Sequence, residues 1–106
     1  MTKKQLEEYR ITKREIEEER ERIAQFRSSK GNVIAHEVER KIANLEKRQI
    51  EVEKFVSAIE DSFIRRIVVA RYIEGRSWVG VARKLGGGNT SDGVRKIWER
   101  WARRNL

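Results

Sequence analysis

A chain of 106 residues, 40% of them charged and 38% hydrophobic, with no cysteine and no proline, can bury only a modest core. That excludes a large enzymatic cleft, a disulfide framework and thiol chemistry. The formal net charge of +8 and pI near 10.2 point to an anionic partner such as nucleic acid or an acidic membrane surface. The surplus is local: residues 1–60 hold 14 Lys and Arg against 13 Asp and Glu, whereas residues 61–106 hold 11 against 4, a net +7. An anionic ligand is therefore expected on the last third.

Nothing in the chain blocks long helices, and no alternating β-branched run offers a strand, so the expected fold is all-α. The first helix is expected from about Lys3 to Arg27, with Tyr9, Ile16 and Ile23 seven apart on one face and Leu6 nearby. Its acidic run, Glu15 to Glu21, reads as a solvated face with i,i+4 ion pairs. Ser28, Ser29, Lys30, Gly31 and Asn32 favour turns and helix ends, and predict a reversal.

A second helix is expected from Val33 to about Glu60. Val38, Ile42, Leu45, Gln49, Val52, Val56 and Ile59 alternate spacings of four and three, a heptad seam with one polar member. Such a seam calls for a helical partner, either the first helix folded back or the same helix of a second subunit. The first helix offers about one apolar residue per heptad, so a hairpin that also forms a homodimer or higher homo-oligomer is expected, with Gln49 setting register. Residues 1–60 thus read as a helical hairpin or coiled coil for oligomerisation, and residues 61–106 as a separate domain.

In that last stretch, Phe63, Ile64, Ile67, Val68, Ala70 and Tyr72 form an apolar helix that stops at Glu74-Gly75. Ser77 is placed to cap a helix from Trp78 to Leu85, with Val81, Ala82 and Leu85 turned inward. Gly86-Gly87-Gly88-Asn89 forces a turn. Asn89 or Thr90 can then cap a final helix to about Arg104, with Val94, Ile97, Trp98 and Trp101 on its apolar side. Trp78, Trp98 and Trp101 are read as core rather than as base-stacking residues.

Two short helices crossing at a small residue, here Ala82, form a helix-turn-helix, which offers its second helix to a DNA major groove. The other face of the last helix carries Ser91, Asp92, Arg95, Lys96 and Glu99, side chains able to pair with base edges. Arg76, Arg83, Lys84, Thr90, Arg100 and Arg103 are the expected phosphate contacts.

The run Arg71-Tyr72-Ile73-Glu74-Gly75, then Ser77-Trp78-Val79-Gly80-Val81-Ala82, then Thr90-Ser91-Asp92-Gly93-Val94-Arg95-Lys96-Ile97 resembles region four of bacterial sigma factors, the part that binds the −35 promoter element. The matching positions are Thr90, Asp92, Val94, Arg95, Ile97 and Arg103, and the resemblance covers roughly residues 61–104. Ser91 stands where the family usually has arginine, and Gly86-Gly87-Gly88 lengthens the turn by about two residues relative to the family. A charged coiled coil followed by this module looks like the small region-four-like regulators of phages and prophages.

The resemblance implies a sequence-specific, double-stranded-DNA-binding transcription regulator in the cytoplasm of a bacterial host, with RNA polymerase as a further partner. The alternatives are a DNA-packaging recognition protein of the small terminase kind and a module that docks on polymerase or a sigma factor. No enzyme activity and no cofactor are expected: neither a nucleophile–base pair nor a phosphate-binding glycine loop can be assembled. With one histidine, His36, and no cysteine, no metal site is expected either. The N-terminus lacks the apolar stretch of a signal peptide, and no membrane association is expected.

Overall fold

The computed structural model describes residues 1–28 and 32–106, with the side chains of residues 26–34 outside the description. The reversal expected over Ser29, Lys30 and Gly31 lies outside the described residues. Everything described is helical or a short link: α1 (Lys3–Ser28), α2 (Asn32–Ser57), α3 (Ser62–Val68) continued by a π-helical turn (Val69–Ile73), α4 (Trp78–Leu85) and α5 (Ser91–Asn105). The fold is all-α, and no strand occurs among the described residues.

α1 and α2 pack antiparallel, the start of α1 meeting the end of α2 and the second half of α1 meeting its first half. The Tyr9 hydroxyl donates to Glu53 at 2.7 Å, Lys41 reaches Glu19 at 3.2 Å, and Arg20 pairs with Glu46. The seam is closed inside one chain. Ile16 and Ile23 of α1 pack with Val38, Ile42 and Leu45, while Leu6 and Tyr9 pack with Val52, Val56 and Ile59. Gln49 is half-buried, at the rim of an open groove it shares with Tyr9, Thr12 and Asn44. The residues assigned to an oligomerisation seam thus need no second subunit to leave water. α1 supplements its sparse apolar stripe with a buried carboxylate: Glu19 is 6% exposed and is held by Arg22 at 3.3 Å and by Lys41. Pairing both oxygens offsets the cost of taking that charge out of water.

At its far end the hairpin does not stop at a linker. One continuous core joins Leu6 and Tyr9 of α1 and Val52 and Val56 of α2 to Ile64, Ile67, Val68, Val81, Val94 and Trp98 of the C-terminal helices. The result is long and narrow, 57 × 24 × 17 Å, with a radius of gyration of 17.5 Å against about 13 Å for a compact chain of this length. Asp61 starts α3 by accepting from the backbone N–H groups of Phe63 and Ile64.

The single helix expected from Phe63 to Tyr72 changes pitch at Val69. With a helical turn every 3.6 residues, Arg71 would fall on the buried stripe, four residues after Ile67 and three after Val68. The extra residue in the π turn carries Arg71 off the stripe and brings Tyr72 onto it. There the Tyr72 hydroxyl accepts from the buried Trp98 Nε1 at 2.9 Å. Arg71 instead stands 4.9 Å above the Trp78 ring and donates to the Arg76 carbonyl at 3.0 Å. The chain leaves the π turn through Gly75 at φ 73°, over which the Arg10 guanidinium of α1 lies while donating to the Ile73 carbonyl. A side chain at position 75 would be strained and would displace that guanidinium.

Candidate nucleic-acid interface

α4 begins at Ser77, whose hydroxyl accepts from the Gly80 N–H at 3.1 Å, and buries Val81 and Ala82. It ends at Gly86. Gly86, Gly87 and Gly88 all have φ between 63° and 77°, a run of left-handed backbone that only glycine adopts without strain. Asn89 closes the link by donating its amide to the Gly86 carbonyl. Of the two expected caps it is Thr90 that starts α5, its hydroxyl accepting from the Gly93 N–H at 3.1 Å. Thr90 is therefore engaged in capping at the position assigned to a phosphate contact.

α5 is fastened by one face. Val94 and Trp98 are completely buried and Ala102 nearly so. The Trp98 ring lies between Tyr72 and Trp101, each with its centroid 5.5 Å away, and Trp101 in turn meets Phe55 of α2. Trp98 and Trp101 are thus packed against the core, as expected, and Trp78 is half-buried beneath Arg71. Ile97 departs from expectation: it is 38% exposed. Its position relative to Val94, Trp98 and Trp101 places it at the edge of the buried arc, and neighbouring helices cover the other side of that arc.

The solvent face of α5 carries Asp92, Arg95, Lys96, Arg100 and Arg103, with Ser91 and Glu99 half-buried at its margins. These groups are not electrostatically equal. Arg95 is flanked by Asp92 at 3.5 Å and Glu99 at 4.0 Å, one helical turn before and after it. Lys96, Arg100 and Arg103 have no acidic partner among the described residues. Glu99 and Arg103 also line a cleft of about 370 Å³ with Thr2 and Lys3, so the α1 terminus borders that flank of α5.

Arg83 of α4 is exposed and unpaired among the described residues, whereas Arg76, just before the helix, and Lys84 within it converge on one carboxylate. Lys84 Nζ lies 2.5 Å from both oxygens of Glu74, and Arg76 Nε donates to Oε1 at 2.8 Å. Those two hydrogen bonds, Lys84 first, hold the Glu74 carboxyl below its ordinary range. Two cations escaped the sequence reading: Arg65 and Arg66 of α3, which line a cleft of about 270 Å³ with Lys84 over a floor of Val69 and Leu85. Their only signal in the sequence was their share of the positive surplus.

Among the described residues no three acidic, histidine or cysteine side chains are grouped to hold a metal ion. His36 is exposed and faces Glu39 at 3.6 Å. No described helix is long and apolar enough to cross a membrane. The chain matches no protein-family model, no curated protein and no solved structure.

Proposed function

We propose that this protein binds double-stranded DNA sequence-specifically through α5 and regulates transcription. The observation that carries the reading is the division of α5 into two faces. One is locked by Val94, Trp98 and Ala102, and the other presents Lys96, Arg100 and Arg103 to solvent without acidic partners among the described residues. A rigid helix of this width enters a major groove, where Lys96 meets base edges and Arg100 and Arg103 meet the flanking phosphates.

In this reading Arg95, Lys96, Ser91 and Asp92 face base edges, and Asp92 and Glu99 orient the Arg95 guanidinium while no DNA is present. Arg83, Arg100 and Arg103 hold phosphates at once; Arg76 and Lys84 must first leave Glu74. The likeness of residues 61–104 to region four of sigma factors supports a promoter-proximal role and a phage or prophage source, with RNA polymerase as a further partner in the host cytoplasm. Because the heptad seam is consumed within the chain, pairing of two chains on a two-fold DNA site would have to use another surface.

The test is selection of duplex fragments from a random pool by the wild type and by an Arg95→Ala/Lys96→Ala variant. The wild type should enrich one motif. The variant should lose preference at one or two base pairs, a penalty of about 1–3 kcal/mol for each bidentate contact removed. Equal enrichment by both proteins would show that α5 does not read bases, and enrichment by neither would remove sequence-specific recognition.

A further inference from the structure

The cleft between α3 and α4 brings three cations together, of which only Lys84 has an acidic partner among the described residues. Arg65 is half-buried, and its guanidinium is steadied by donating one N–H to the Ile59 carbonyl at 2.6 Å, which leaves its other donors unused. Arg66 is exposed, and neither arginine has a carboxylate partner among the described residues. Lys84 forms the third wall, and Val69 and Leu85 make the floor. Like charges gathered over an apolar floor repel one another more strongly than in open water, and an anion entering between them relieves all three.

The carboxylate paired with a wall of the cleft is Glu74, through Lys84. Its two oxygens straddle Lys84 Nζ, and Oε1 also takes Arg76. Two oxygens on one centre, shared between a lysine and an arginine, is also the pattern offered by the non-bridging oxygens of a phosphodiester. The whole clasp is open to solvent, with the Glu74 side chain 32% and the Lys84 side chain 38% exposed, so exchange of one anion for another needs no change in the backbone.

We propose that the Arg65–Arg66–Lys84 cleft seats a backbone phosphate of bound duplex DNA, and that Glu74 is a resident substitute for that phosphate, holding Lys84 until DNA displaces it. This rests on the DNA-binding reading above and deepens it. It adds α3 to the contact surface and gives the protein an internal competitor that weakens binding to any DNA, specific or not. Glu74 therefore lowers affinity uniformly, and sequence preference stays with α5.

The experiment is fluorescence anisotropy with a labelled duplex of about 20 base pairs titrated at several salt concentrations. The proteins are the wild type, Arg66→Gln, Glu74→Gln and a hairpin control, Glu51→Gln, which removes one exposed negative charge that neither lines the cleft nor pairs with Lys84. The Arg66 side chain makes no hydrogen bond among the described residues, so its variant should melt like the wild type in circular dichroism. Arg66→Gln should weaken binding to all sequences alike and lower the slope of log K against log salt by about one. Glu74→Gln should tighten binding roughly two- to five-fold, the worth of an exposed ion pair that no longer has to be broken, and by more than Glu51→Gln does.

An unchanged salt slope in Arg66→Gln, with the wild type binding normally, overturns the phosphate seat while leaving the DNA reading intact. Equal effects of Glu74→Gln and Glu51→Gln overturn the competitor role. Absence of any salt-sensitive duplex binding by the wild type overturns the DNA reading and this inference with it.

Discussion

The attachment of α5 depends on a buried hydrogen bond whose removal can be sized in advance. Trp98 is completely enclosed, and its Nε1 donates to the Tyr72 hydroxyl at 2.9 Å, the two rings lying 5.5 Å apart at a tilt of 56°. Tyr72→Phe keeps the ring and removes the acceptor, so the indole N–H is left in the core with nothing to bond. An orphaned buried donor costs about 1–3 kcal/mol, more than the hydrogen bond itself contributes, because the group has given up water and received nothing. In a chain of this size that corresponds to a fall in melting temperature of roughly 5–15 °C.

Trp98→Phe removes the donor and leaves a void, so it is destabilising for a second reason. In the double variant neither group remains to be orphaned. The two changes should therefore cost about 1 kcal/mol or more less together than the sum of their separate costs. Thermal and urea unfolding followed by circular dichroism measure all three. A Tyr72→Phe melting point within about 1 °C of the wild type, or strict additivity in the cycle, would refute the bond as an anchor of α5. Below the transition, Tyr72→Phe should bind DNA like the wild type, since the exposed face of α5 is untouched.

Further outcomes follow from the same geometry. Gly75→Ala should lose about 1–2 kcal/mol in urea unfolding, because it combines left-handed backbone with displacement of the Arg10 guanidinium. Gly87→Ala, equally left-handed but facing open space, should lose only about 1 kcal/mol. Light scattering should return a single-chain mass, and Leu45→Ala should lower the melting temperature by an amount independent of protein concentration; a concentration-dependent transition would mean that the seam joins subunits. Burial and the hydrogen bond to Glu53 raise the Tyr9 phenol to about 12 from its ordinary 10. A pKa raised on folding gives stability that is complete below the unfolded value and is lost as pH climbs through the folded one. Wild-type stability should accordingly decline between about pH 10 and pH 12, and Tyr9→Phe should decline less across that window.

Much of the architecture is legible in the sequence, because its causes are local. The 3.6-residue spacing of Leu6, Tyr9 and Ile16, the heptads from Val38 to Ile59, and the capping hydroxyls of Ser77 and Thr90 act within one or two helical turns, and the absence of proline removed the competing possibilities. The three-glycine link is equally local, since glycine can take up left-handed backbone without steric cost whatever surrounds it. From these the all-α fold and the element boundaries followed to within a few residues.

Tertiary structure decided what joins to what. A heptad seam has the same spacing whether a fold-back helix or a second subunit covers it, so only the packing of Leu6, Tyr9 and Ile16 against α2 showed that it closes within one chain. The π turn that sends Arg71 out and Tyr72 in, and the exposure of Ile97, depend on which helices lie alongside. The cations behave likewise: composition located the positive surplus, yet Arg95 is flanked by acids, Lys84 is clasped by Glu74, and Arg66 stands open beside Arg65. The flanking of Arg95 follows helical spacing, but the Lys84–Glu74 clasp joins side chains ten residues apart across a turn, and sequence periodicity carries no information about that.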